Sequence, residues 1–237
     1  MYTHWRRPEF SQRFLHNRQL VEQLVRQSSI GKNDLVIEVG PGKGIITREL
    51  IRSARGVIAI ELDKLLYQQL NQDLAGTSSL KLIHQDFLTW PLPREAYKVF
   101  ANLPFDVEGL IVRKLINAAN PPIDSYLVVR KDVAERWAGI SYRGQFSASY
   151  RPWFNLAIVH KFRRQDFIPK PKAAAVMLRI ARRDQPLLPW SEKRNYQQFI
   201  ARQFQLIRRP SSLTLNQWIK NYQLFSGHHQ VKSERRK

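Results

Sequence analysis

Hydrophobic and polar positions follow two periods along this chain. Short apolar runs rich in β-branched residues at 35–38, 56–60, 80–84, 99–102 and 126–129 read as buried strands. Between them, apolar residues recur at helical spacing over 45–51, 64–74, 110–116 and 132–137. Strand and helix in alternation build a mostly parallel sheet covered by helices, so the expected class is α/β. Two further strand-like runs, 155–162 and 174–180, are joined by Gln165-Asp166-Phe167-Ile168-Pro169-Lys170-Pro171 with no helix between them, so antiparallel pairing at the sheet edge is expected. The pattern breaks at Asp184-Gln185-Pro186-Leu187-Leu188-Pro189, and 192–206 and 216–225 then read as two helices. The expected organisation is a main domain at 1–183, a small C-terminal helical subdomain at 184–226 and a basic, disordered tail at 227–237.

Composition sharpens this picture in three respects. At 237 residues and 43% hydrophobic, the chain can bury a substantial core. Cysteine is absent, which excludes disulfides, thiolate metal ligands and a cysteine nucleophile, and no metal site is expected. There is no run of 18 apolar residues, and Met1-Tyr2-Thr3-His4-Trp5-Arg6-Arg7 lacks an apolar signal core, so a soluble, cytoplasmic protein is expected, acting as a monomer.

Charge names the partner class. Lys and Arg number 39 against 19 Asp and Glu, a net charge of +20, far beyond what solubility requires. The excess is spread from Arg6-Arg7 through Arg163-Arg164, Arg182-Arg183 and Arg208-Arg209 to Arg235-Arg236-Lys237. Such a distribution suits many contacts along a phosphate backbone better than one anion pocket, which makes nucleic acid the leading partner. No amphipathic basic segment with an apolar face dominates, which disfavours a membrane surface.

Candidate chemistry lies where strands end. Val36-Ile37-Glu38-Val39 runs into Gly40-Pro41-Gly42-Lys43-Gly44 and then into the first helical pattern, a strand-to-helix turn whose backbone amides can face a ligand. Alone, that turn fits a nicotinamide site or a plain tight turn equally well. Glu61 ends the second strand 21 positions after Gly40, the place from which a carboxylate accepts hydrogen bonds from ribose hydroxyls, unless it is a solvated charge at a helix start before Asp63. Asp86 ends the third, where it could accept from an adenine amino group beside the apolar face of Phe87, or simply cap a helix. Asn102-Leu103-Pro104-Phe105 ends the fourth: proline fixes the turn and leaves two acceptors, the Asn102 amide oxygen and the Leu103 carbonyl, with Phe105 available to stack. Two acceptors on an exocyclic amine would aim its lone pair at an already activated methyl donor, and positioning is the main lever in such a displacement. No general base is required.

These motifs, with Ser11-Gln12-Arg13-Phe14-Leu15 and Phe167-Ile168-Pro169-Lys170-Pro171, resemble in order the motifs of the ribosomal RNA adenine N6-methyltransferases, especially the erythromycin-resistance (Erm) branch, over about residues 9–182. The resemblance implies a Rossmann-like class I S-adenosylmethionine-dependent methyltransferase fold. It implies cofactor contacts at Arg13, Leu15, Gly40, Gly42, Glu61, Asp86 and Asn102, and catalysis at Asn102, Leu103, Pro104 and Phe105, with Phe105 and Phe167 sandwiching a flipped adenine. Leu213-Thr214-Leu215-Asn216-Gln217-Trp218 also resembles a C-terminal stretch of some Erm proteins. The expected activity is methylation of an adenine in 23S ribosomal RNA, with resistance to macrolide-type antibiotics as its consequence.

Three departures stand beside the resemblance. Arg13 replaces the family's usual Asn, which leaves a backbone contact there, Glu108-Gly109 replaces a Ser/Thr pair, and the C-terminal part is short. The housekeeping dimethyladenosine transferase of 16S RNA is the rival within the family, and Lys131-Asp132-Val133-Ala134-Glu135-Arg136 would suit it too. The short C-terminal part, without a Gln-Arg-Arg-Lys-type helix, favours the resistance branch. A non-catalytic nucleic-acid-binding factor on the same fold is the alternative of another class, but it would have no need of the Gly40, Gly42, Gly44, Glu61, Asp86 and Asn102 set.

Overall fold

The computed structural model describes residues 13–140, 144–207 and 210–234. Its first elements are β1 (Phe14–Leu15), α1 (Arg18–Arg26), β2 (Leu35–Val39), α2 (Ile45–Ser53), β3 (Gly56–Glu61), α3 (Lys64–Asp73), β4 (Leu80–His84), β5 (Lys98–Asn102), α4 (Glu108–Asn117) and β6 (Asp124–Arg130). There follow α5 (Lys131–Ala138), α6 (Gln145–Tyr150), β7 (Phe154–Lys161), β8 (Phe167–Ile168), β9 (Ala175–Arg182), α7 (Lys193–Leu206) and α8 (Leu215–Glu234).

Seven strands form one sheet in the order β4-β3-β2-β5-β6-β9-β7. The pairs from β4 to β6 are parallel, and β9 returns antiparallel to β6 with Tyr126 opposite Arg179. Parallel strands are covered on both faces, which is why every residue of β2 is buried. From β2 the chain steps outward to β3 and β4, then returns to place β5 on the other side of β2. Strand order therefore reverses between β2 and β5, and in such sheets the crevice at the carboxyl ends of those strands is where ligands bind.

Local signals place the covering helices. Asn17 caps α1, its side chain accepting from the Leu20 amide at 3.1 Å, and Val21, Leu24 and Val25 form the buried stripe that packs into the core with Ile46 and Leu50 of α2. Asp63 caps α3 by accepting from the amides of Leu65 and Leu66. At the amino end of β6, buried Asp124 accepts from Arg179, Tyr126 and Ser29. This network gives a buried carboxylate the hydrogen-bond partners that burial requires.

The chain divides into two compact units, Met1–Lys131 with Ile158–Ala181, and Asp132–Ala157 with Arg182–Lys237. This corrects the single boundary expected at 184, because residues 132–157 belong with the C-terminal helices. The second unit has its own aromatic core: Tyr196 lies edge-on to Trp153 at 5.5 Å and to Tyr222 at 5.2 Å, and Trp218 packs against Phe199 and Phe204. The helix expected to end at 225 continues to Glu234, so 227–234 extend α8 instead of forming a disordered tail, and 235–237 lie outside the described residues. Missed by sequence pattern were α1, α6 and the two-stranded pair of β1 with β8, in which Leu15 stands opposite Phe167.

Candidate functional site

The glycine turn leaving β2 has left-handed backbone at three positions, with φ of +67° at Gly40, +56° at Gly42 and +76° at Gly44, a conformation L side chains rarely adopt. Two of the three also lack room. A Cβ on Gly42 would stand 2.7 Å from the Phe14 ring, and one on Gly44 would stand 2.3 Å from Leu70. At Gly40 no atom beyond its chain neighbours lies within 4 Å of that direction, and Gly40 lines a cleft.

Glu61, at the end of β3, holds the turn in place. One carboxylate oxygen accepts from the Gly42 amide at 3.0 Å and the other from the Asp63 amide at 2.9 Å, while each keeps a second lone pair for a ligand donor. Burial raises the Glu61 pKa, and these amides partly offset the rise. Glu38, in β2 two residues before Gly40, is 1% exposed, and neither of its oxygens has a hydrogen-bond partner. Burial pushes its carboxyl up to about 8; Thr47 lies near enough to favour the charged form, without hydrogen-bond geometry, and nearby Glu61 opposes it.

Asp86 follows β4 and turns the chain by accepting from the Leu88 amide at 2.8 Å. This turn is clamped by Lys114 of α4, whose ammonium donates to the carbonyls of Phe87, Leu88 and Trp90 and stands 4.8 Å from the centre of the Phe87 ring. Nothing in sequence spacing singles out Lys114, since it acts across the fold. Sequence spacing is equally silent on the role of Glu108. It is buried at the start of α4, where it accepts from the Arg130 amide and side chain, each at 2.9 Å.

Asn102 ends β5, and its amide nitrogen donates to the Arg13 carbonyl. A carbonyl can only accept, so the nitrogen must face Arg13 and the amide oxygen is turned the other way. Arg13 thus meets Asn102 through its backbone carbonyl. The Leu103 amide donates to Val128, and the Val107 amide to Pro104, which closes the turn.

Gly40, Glu61, Asp86 and Pro104 line the one cleft, together with an apolar wall that includes Leu62 and Phe87. Phe105 is half-buried at its edge of the core. The other expected residues stand outside that lining: Arg13, Gly42, Asn102, Leu103 and Phe105 do not border the cleft, Leu15 is buried in the core, and Phe167, 1% exposed, packs edge-to-face on Phe162 at 5.3 Å. The Phe167 ring therefore offers no open face here, because apolar packing encloses it. Ser11 and Gln12 lie outside the described residues. No helix among the described residues is long and apolar enough to cross a membrane, and no group of potential metal ligands was found among them.

A family model for ribosomal RNA adenine dimethylase matches residues 3–236. An rRNA adenine N-6-methyltransferase of Bacillus licheniformis is 34% identical over 185 residues, covering 76% of this chain and 64% of that protein. Ribosomal RNA small subunit methyltransferase A of Clostridium botulinum is 31% identical over 183 residues, covering 74% and 66%. This chain thus spans slightly under two thirds of the length of these curated relatives. The crystal structure of the 23S rRNA methyltransferase ErmE superposes with a TM-score of 0.76 at 25% identity, covering 88% of this chain and 84% of that one. The family match runs almost end to end over the strands that build the cleft, and on that footing the chain belongs to the ribosomal RNA adenine dimethylase family.

Proposed function

We propose that this protein transfers a methyl group from S-adenosylmethionine to N6 of an adenine in ribosomal RNA, with 23S RNA as the substrate and resistance to macrolide-type antibiotics as the result. The observation that carries the reading is the Asn102 amide at the end of β5, whose nitrogen is tied to the Arg13 carbonyl so that its oxygen is turned away from that contact, beside the switch point of the sheet. Paired acceptors at a strand end suit the two hydrogens of an –NH2 group.

The residues fit the cofactor. Gly40 leaves room for close approach, Glu61 retains lone pairs for ribose hydroxyls, and Asp86 with Phe87 presents an acceptor and an apolar face to an adenine. When bound, the cofactor supplies an activated methyl group. The chain's own part is to hold the target amine: Asn102 and Leu103 accept its two hydrogens, Pro104 keeps them in register, and Phe105 stacks on the ring. The product's extra proton passes to water. Phe167 serves as the second stacking face only if its ring is uncovered. A net charge of +20 supports an RNA substrate, with the helical unit contributing to its grip, and the ribosomal substrate puts the work in the cytoplasm, carried out by a monomer.

The small-subunit enzyme is the second reading, favoured by the Clostridium relative's name. Primer extension on 23S and 16S RNA from cells with and without the gene separates the two, because a new stop identifies both RNA and base. Asn102→Ala should abolish that stop and leave RNA affinity nearly unchanged, since binding is spread over many phosphates. Wild-type turnover by Asn102→Ala in single-turnover assays would refute the assignment. A protein that binds RNA but transfers no radiolabelled methyl group would be a binding factor.

A further inference from the structure

Outside the cleft, the second unit carries an open depression lined by Arg151, Arg183, Leu187, Thr214, Leu215 and Asn216. No carboxylate is among these residues. Arg183 is held by its Nε, which donates to the Arg151 carbonyl at 3.0 Å, and its backbone amide donates to Trp153. Among the described residues neither guanidinium meets an acid. Two cations drawn into one depression repel each other, and the cheapest relief is a shared anion. The Arg183 pKa is lowered by burial and by Arg151, in keeping with that repulsion.

Thr214, Leu215 and Asn216, which line the same depression, add donors. Thr214 and Gln217 cap α8 reciprocally: the Thr214 hydroxyl accepts from the Gln217 amide at 3.3 Å, and the Gln217 side chain accepts from the Thr214 amide at 2.8 Å. The amides of Leu215 and Asn216, next in line, have no intrahelical acceptor. Both residues line the depression.

We propose that Arg151 and Arg183, with the first amides of α8, form a phosphate-binding subsite that holds one phosphodiester of the RNA substrate. The subsite rests on the RNA reading given above for its source of phosphate, though not for its chemistry. It absorbs Leu213-Thr214-Leu215-Asn216-Gln217-Trp218, a stretch that the cofactor cleft does not use. Paired guanidiniums suit phosphate because each can offer a planar fork of donors.

The test compares the full-length wild type with Arg151→Gln, Arg183→Gln and the double variant, and with Lys81→Gln as a control for loss of one exposed charge. Affinity for a fluorescent ribosomal RNA hairpin is read across a salt series, and calorimetry with S-adenosylmethionine reports whether the cleft survives. The expected result is a loss of about tenfold or more in RNA affinity for the double variant, a shallower salt dependence by roughly one contact, and unchanged cofactor affinity. A loss no larger than that of Lys81→Gln would overturn the proposal.

Inorganic phosphate supplies the second arm, read as a rise in melting temperature. If the wild type fails to bind RNA, a phosphate-induced rise that vanishes in Arg183→Gln would uphold the subsite and refute RNA as its source. No rise in the wild type together with no RNA binding would refute both.

Discussion

Replacing Glu38 by Gln should flatten the dependence of stability on pH between 5 and 8. Glu38 is 1% exposed with two unpaired oxygens, and burial raises its carboxyl from 4.5 to about 8. The unfolded chain gives up this proton near pH 4.5, while the folded chain keeps it until about pH 8. Below 4.5 both states are protonated and nothing is lost. As pH rises between the two values the unfolded state binds fewer protons, so stability falls by about 1.4 kcal/mol per pH unit. From pH 5 to pH 8 the loss works out at roughly 3–4 kcal/mol, a large share of the 5–15 kcal/mol typical of a whole domain. Gln has the same shape and no such proton, and subtracting its profile removes every group that does not sense position 38. Urea unfolding at pH 5, 6, 7 and 8, with equal m-values as the check on two-state comparison, measures the difference. Parallel wild-type and Glu38→Gln profiles over that interval would show that Glu38 is ionised in the fold.

Further outcomes bear on the cleft. Glu61→Gln should weaken S-adenosylmethionine in calorimetry by about 1.5–3 kcal/mol, because charged acceptors of the Gly42 and Asp63 amides are lost along with the ribose contact; unchanged affinity would remove Glu61 from the site. Phe105→Ala should lower single-turnover methylation with little loss of stability, as befits one stacking face worth about 1–3 kcal/mol. Phe167→Ala should instead cost about 3–5 kcal/mol of unfolding free energy, since the ring is enclosed in the core. A Phe167→Ala protein of normal stability and slow turnover would show that the ring uncovers to reach the base. Lys114→Met should weaken the cofactor, with Lys114→Arg restoring part of the affinity, because three carbonyls of the 87–90 turn lose their shared donor; equal affinity in Met and Arg variants would confine Lys114 to packing.

Several features were decided within a few residues of chain. The five parallel strands were legible because a strand buried on both faces must be largely apolar, as β2 is apart from Glu38. Glycines at 40, 42 and 44 were legible because only glycine tolerates the left-handed turn, and Asn17 and Asp63 mark helix starts by chemistry that reaches only three residues. The overlooked α1 carried that same cap signal ahead of Val21, Leu24 and Val25. What the sequence could not disclose depends on pairs brought together from far apart. Asn102 meets Arg13 across 89 positions, Lys114 reaches back 27 positions to Phe87, and Glu108 pairs with Arg130 across 22. The placing of 132–157 with the C-terminal helices and the burial of Phe167 are of the same kind, for neither local propensity nor periodicity records which distant surfaces will exclude water together. Sequence determined which groups stand at the strand ends; tertiary packing decided which of their atoms remain free to bind.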